Sequence, residues 1–265
     1  MKREEIEKIA SAAAKFLYEH REDEGINKVI GFHGNDTTRV IDKKSEEYIF
    51  SLLKSTGYKF LLVSEESGTV LSDSNYDYIA IIDPLDGSTN YISGIPWSSV
   101  SIAIYKKGEE DLLNSITGAV ANIFTSQIYS YDENNAYING KIIEKVTLPD
   151  KILLLAYFSK SKLLQVKEFL DKLDSYKIRS LGSASLDMIL VCTGKATMFF
   201  DIRGRLRNVD IAASSNFCNR LGIQVYNSRL QKIRSSLTKV SVIENVIVSL
   251  DPSLLHYLSY SLQKV

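Results

Sequence analysis

Apolar positions fall into two rhythms along this chain. Residues 2 to 22 place Ile6, Ile9, Ala10, Ala13, Phe16 and Leu17 on one face, with Glu and Lys opposite, which predicts an amphipathic helix. Residues 38 to 55 repeat the pattern with Ile41, Tyr48, Ile49 and Leu52, and Gly57 ends it. Between and after these helices the period shortens. Strands are predicted at 29–33, 58–64, 78–82, 98–105, 115–123, 127–131 and 136–143. The pair 127–131 and 136–143 is expected to be antiparallel, with Asn139-Gly140 as a hairpin turn signal. A second set then alternates: strand 152–158, helix 160–173, strand 176–181, helix 183–193, strand 196–202 and helix 209–221. A strand near 240–249 and a helix at 252–263 close the series. Consecutive strands first and alternation later predict an α/β (α+β) chain rather than a purely alternating one. The join near Val146–Asp150 divides it into halves 1–148 and 149–265. The polar stretches 66–76 and 228–238 read as loops.

The chemistry concentrates at one strand end. Tyr78 to Ile82 is a buried-type run that is expected to stop at Asp83-Pro84, because proline removes a backbone donor. Asp86 and Gly87-Ser88-Thr89 follow. Two carboxylates about 4 Å apart repel by roughly 4 kcal/mol at an effective dielectric of 20. A divalent cation with oxygen ligands would relieve this, and a polar turn with Asx-type acids is the simpler alternative. The acids stand three apart, unlike an EF-hand loop, and no Gly-x-x-x-x-Gly-Lys-Ser/Thr loop occurs. Strand 58–64 ends in Glu65-Glu66, either a solvated loop start or a cation ligand. If strands 58–64 and 77–82 are neighbours, Glu65 and Asp83 emerge at one edge.

Further candidates are weaker taken singly. Asp42 suits the positive end of its helix on dipole grounds alone. Asp210, before Ile211-Ala212-Ala213, is a helix-start acid with or without a ligand role. Asp201-Ile202-Arg203-Gly204-Arg205-Leu206-Arg207 is either a solvated basic loop or a holder of phosphate and polyol groups.

Composition narrows the classes. The 265 residues are 45% hydrophobic and 24% charged, which is ordinary for a globular chain. Lys+Arg and Asp+Glu balance at 32 each, so no global field favours nucleic acid or membrane as a partner. Cys192 and Cys218 are expected to be free, small core hydrophobes of a reducing compartment. His20, His33 and His256 lack metal-type spacing. Neither a signal-type N-terminus nor an 18-residue apolar run is seen, so a cytoplasmic location is expected, where the Asn35-Asp36-Thr37 sequon carries no meaning.

Taken in order, these motifs resemble the inositol monophosphatase superfamily of metal-dependent phosphomonoesterases. Asp83-Pro84-Leu85-Asp86-Gly87-Ser88-Thr89-Asn90 is similar to its central signature, and Glu65-Glu66 to the paired glutamates upstream. Asp36 to Asp42 resembles its metal loop, Gly182-Ser183-Ala184 a substrate-side segment, and Asp210-Ile211-Ala212-Ala213 the Trp-Asp-x-Ala-Ala-Gly signature. Val209 stands where many members have Trp, and Ser214 replaces Gly. The segment 201–210 is slightly longer than in most members. It resembles that of the archaeal enzymes acting on both fructose 1,6-bisphosphate and inositol monophosphates.

The resemblance implies a layered α-β-α-β-α sandwich, a homodimer or homotetramer, and a small phosphorylated sugar or polyol as substrate. It implies two or three Mg²⁺ ions per site, with Mn²⁺ as a substitute. Glu65, Asp83 and the Leu85 carbonyl would hold one ion; Asp83, Asp86 and Asp210 a second; Glu65, with Asp42 through water, a weaker third. Asp42, Ser88 and Glu65 form the implied catalytic set. Gly87 and Ser88 would cradle phosphate, while Gly182, Ser183, Asp201 and Arg203 would line the leaving-group side. Rival readings are a phosphatase for 3′-phosphoadenosine 5′-phosphate or NADP, and a regulatory binding protein on the same fold.

Overall fold

The computed structural model describes residues 1–33, 36–71 and 75–263. Gly34 and Asn35, where the first strand was expected to break, lie outside the described residues. Helix α1 (Arg3–His20) leads into a two-stranded ribbon of β1 (Val29–His33) and β2 (Asp36–Arg39), then α2 (Val40–Ser55). There follow β3 (Phe60–Ser64), β4 (Gly68–Leu71), β5 (Tyr78–Asp86), the short α3 (Ser88–Ile92), β6 (Ser99–Lys106) and β7 (Thr117–Asn122). Strands β8 (Ile128–Tyr131), β9 (Ala136–Ile138) and β10 (Lys141–Ile142) complete an eight-stranded sheet of order β10-β9-β8-β7-β6-β5-β3-β4. Asn139 and Gly140 both take positive φ (49° and 75°), as the hairpin between β9 and β10 requires.

The second half supplies β11 (Leu153–Tyr157), α4 (Leu163–Leu170), β12 (Lys177–Arg179), α5 (Ala184–Cys192), β13 (Met198–Asp201), β14 (Leu206–Arg207) and α6 (Asn208–Arg220). β15 (Val225–Tyr226), β16 (Val242–Ile243), β17 (Val246–Ser249) and α7 (Pro252–Gln263) end it. Five strands form a mixed sheet of order β12-β11-β13-β17-β15, and β14 pairs with β16 apart from it.

The layers follow from strands that are apolar on both faces. Ala80, Ile82, Ile102 and Ile104 pack outward with α1 and α2. Ile79, Ile81, Ala103 and Tyr105 point the other way, into one buried cluster with Met188 and Ile189 of α5, Phe217 of α6, and Phe199 and Val248 of the second sheet. The far face of that sheet is closed by Phe169 of α4 and Leu254 and Leu258 of α7. This is the α-β-α-β-α sandwich expected above.

Several local expectations change, among them the strand expected over 136–143, which divides into β9 and β10 at Asn139-Gly140. β5 does not stop at Asp83-Pro84: it runs to Asp86, and the register shifts between Asp83 and Asp86 in a bulge that accommodates the proline. The polar stretch 66–76 contains β4, an edge strand antiparallel to β3. The final strand divides into β16 and β17. Cys192 and Cys218 are not free: they form a disulfide, because α5 and α6 pack closely enough to bring their Cα atoms to 5.3 Å, within disulfide range. Among the described residues no helix is long and apolar enough to cross a membrane.

Candidate active site

Strands β3 and β5 run parallel with Ser64 opposite Ile82, so their next residues, Glu65 just past the end of β3 and Asp83 within β5, stand side by side. Asp210 comes from the first turn of α6, where its Oδ2 accepts the Arg207 backbone N–H at 2.7 Å. Carboxylate oxygens of Glu65, Asp83 and Asp210 all lie within 4.8 Å of one another. Burial, and after it the charges of Glu65, Asp86 and Asp210, push the Asp83 carboxyl well up. Burial likewise raises Asp86 and Asp210. Three hard oxygen donors this close, with Asp83 and Asp210 costly to ionise alone, suit a cation such as Mg²⁺ or Mn²⁺.

These acids floor a cleft of about 360 Å³, which Leu85, Asp86, Gly87, Ser88, Gly182, Asp201 and Arg203 also line. Residues from 65 to 210 therefore meet in one concavity. Asp83 Oδ1 accepts the Leu85 N–H at 3.0 Å, so the Asx-type turn is formed as well. Asp86 stands apart from the three-carboxylate group. Its Oδ2 accepts from the Ser183 hydroxyl (2.5 Å) and from the Ser185 N–H (2.9 Å) and hydroxyl (2.5 Å), and Oδ1 accepts the Ala184 N–H at 3.1 Å. It thereby ties β5 to the start of α5.

Two expected placements differ. Ser183 does not line the leaving-group side: it is fully buried, donating to Asp86 and capping α5 by accepting the Leu186 N–H. An N-cap hydroxyl must face its own helix, which turns it away from the cleft. Asp42 is buried at the start of α2, accepting the Arg39 N–H at 2.7 Å, and is not among the cleft residues. Its charge is felt by Glu66, which burial, Glu65, Asp42 and Glu46 raise to about 8. Asp201 is also buried. It accepts from Arg203 at the backbone N–H (2.9 Å), at Nε (3.1 and 3.0 Å) and at Nη2 (2.5 Å).

Two contributors, Arg207 and Asn90, were not given site roles from the sequence. Arg207 forms an ion pair with Glu65 and lies 3.6 Å from Asp210 Oδ1, a cation set among the carboxylates. Asn90 closes the central signature by donating from Nδ2 to the carbonyls of Trp97 (2.7 Å) and Leu181 (2.6 Å), joining the two rims of the cleft. Its place in the signature was the available signal. Gly182 has φ of 102°, and a Cβ there would come within 2.5 Å of Asn90 Nδ2. Gly182→Ala is thus expected to lower stability by about 1–3 kcal/mol through strain, read as a lower melting temperature.

A model of the inositol monophosphatase family matches residues 2–249. The chain is 31% identical over 252 residues to an inositol-1-monophosphatase of Aeropyrum pernix, covering 93% of this chain and 92% of that one. It is 29% identical over 215 residues to a fructose-1,6-bisphosphatase/inositol-1-monophosphatase of Methanocaldococcus jannaschii, covering 81% and 80%. A solved structure of an inositol monophosphatase-fructose 1,6-bisphosphatase matches with a TM-score of 0.84 at 28% identity, over 98% of this chain and 100% of that one. With the sandwich, the clustered acids and a match spanning both halves in agreement, the chain belongs to the inositol monophosphatase family, a family of phosphatases.

Proposed function

We propose that this protein is a Mg²⁺-dependent phosphomonoesterase acting on fructose 1,6-bisphosphate and inositol 1-phosphate. The observation that carries this reading is the convergence of Glu65, Asp83 and Asp210 oxygens within 4.8 Å at the floor of a cleft. The names of the relatives above support the substrate class. Glu65, Asp83 and the Leu85 carbonyl would hold one cation. Asp83, Asp86 and Asp210 would hold a second, and a weaker third would sit by Glu65, with Asp42 reached only through water. When bound, these ions would acidify water and neutralise charge on the phosphate.

The chain's own groups do the positioning. Gly87 takes positive φ (85°), turning the backbone at the cleft so that the Gly87 and Ser88 N–H groups can meet phosphate oxygens. Ser88 would orient the attacking water or accept its proton. Water adds to phosphorus, the ester P–O bond breaks, and the departing oxygen takes a proton to leave as the alcohol. Gly182 and Asp201 would border that alcohol, and Arg203 would meet a second phosphate.

Tyr157 is the aromatic side chain among the described cleft residues, and the Arg203 guanidinium covers its ring at 4.7 Å from the centre. An adenine would have to displace that cation, which favours a sugar or polyol substrate over a nucleotide. Phosphate release is expected from both proposed substrates with Mg²⁺ and from neither in EDTA. Release confined to 3′-phosphoadenosine 5′-phosphate or NADP would overturn the substrate assignment. Arg203→Ala is expected to raise KM for fructose 1,6-bisphosphate roughly tenfold more than KM for inositol 1-phosphate, as loss of a charge-assisted bond implies.

A further inference from the structure

Asp187 has no part in the chemistry above, yet it is a completely buried carboxylate in the first turn of α5. Burial raises it to about 7, although hydrogen bonds pull against the shift. Trp97 donates from Nε1 to Oδ1 at 2.8 Å, and the Tyr157 hydroxyl donates to Oδ2 at 2.6 Å. The same hydroxyl accepts the Gly182 N–H at 2.5 Å. Asp187 therefore gathers the segment after the phosphate turn, the end of β11 and the 181–183 rim around one buried point.

The consequence for Tyr157 is geometric. Its hydroxyl is engaged both as donor and as acceptor, so the ring is pinned at its far end and meets the cleft with its face. Arg203 lies on that face, its guanidinium carbon 4.7 Å from the ring centre. From the side, Asp201 grips Nε and Nη2. The guanidinium is held below by the ring and along one edge by the carboxylate. Its Nη1 edge has no protein acceptor among the described residues. Such a plane is ordered before any ligand arrives, so less conformational freedom is lost on binding.

We infer that Tyr157 is a specificity-determining residue and Asp187 its positioning residue, together holding the free edge of Arg203 toward the second phosphate of a sugar bisphosphate. This rests on the phosphatase reading above. The first phosphate belongs with the carboxylate end of the cleft, and Arg203 borders the same cleft with Gly182 and Tyr157. A monophosphate of a polyol brings only hydroxyls to that edge, where a cation gains least.

The test compares wild type with Tyr157→Leu, Tyr157→Phe and Asp187→Asn. Binding of fructose 1,6-bisphosphate and inositol 1-phosphate is measured by titration calorimetry in Ca²⁺, and KM and kcat are measured with Mg²⁺. Tyr157→Leu removes the ring under the cation and is expected to weaken the bisphosphate about tenfold more than the monophosphate, in KM rather than in kcat. Tyr157→Phe keeps the ring and the packing but loses the tether; with Asp187→Asn it is expected to show the same selectivity at roughly threefold. Equal losses for the two ligands, or none for the bisphosphate in any folded variant, would overturn the inference and leave the phosphatase reading standing. If wild type releases phosphate from neither ligand, the proposed function fails, and the calorimetric ratio alone decides the role of Tyr157.

Discussion

Asp83→Asn is expected to abolish Mg²⁺-dependent phosphate release while making the metal-free protein more stable. Asp83 is the carboxylate common to both proposed cation sites, and it sits 2% exposed between Glu65, Asp86 and Asp210. Cations of this kind contribute several kcal/mol of charge stabilisation, so a loss of about a thousandfold or more in kcat is expected. The amide keeps an oxygen for the Leu85 N–H, so the turn at the bulge survives. Neutralising the side chain also removes its repulsion with three neighbouring acids. In EDTA the variant should melt above wild type, and added Mg²⁺ should raise its melting temperature less. Full activity in this variant would remove Asp83 from the bridging role. Lost activity with a collapsed fold would show that the carboxylate serves the structure instead.

The second large effect is a metal-dependent stability that changes with pH. Burial is the first cause of the raised carboxyls of Asp83, Asp86 and Asp210, and it lifts Glu66 to about 8 and Asp187 to about 7. Their ordinary values are 3.8 for Asp and 4.5 for Glu. A carboxyl raised in the folded state binds its proton more tightly there than in the unfolded chain. Its stabilising contribution is complete below the unfolded value and is lost as pH rises through the folded one. Metal-free protein is therefore expected to lose stability between about pH 4 and pH 8, by on the order of 5–10 °C in melting temperature. Glu46 opposes this trend: although burial works the other way, hydrogen bonds from Lys43, Ser64 and Ser67 lower it. Mg²⁺ binds the ionised carboxylates, so the increment it adds should grow across the same interval. A melting temperature in EDTA that stays flat or rises from pH 5 to pH 8 would contradict the account.

How the site is assembled explains which parts of it could be read in advance. Glu65 and Asp83 meet on the condition that their two short apolar strands are neighbours, and β3 and β5 do run side by side. The hairpin at Asn139-Gly140 was legible as a local turn signal. Asp86 was legible as an acid of the signature, but not as the acceptor that anchors α5, because its partners lie at Ser183, Ala184 and Ser185. Arg207 read as one of three arginines in a basic loop. Its pairing with Glu65, 142 positions away, depends on how α6 meets the first sheet.

Periodicity and short turns, which depend on neighbours within a few residues, determined from the sequence alone the helices, most strands and the strand-end acids. Motif order determined the family. Tertiary packing decided what no spacing encodes: that Cys192 and Cys218 bond, that Ser183 turns inward, and that Asp187 braces Tyr157 beneath Arg203. Each of these contacts joins segments that only the stacking of α5 and α6 between two sheets brings together, and a buried polar atom takes whichever partner that stacking supplies.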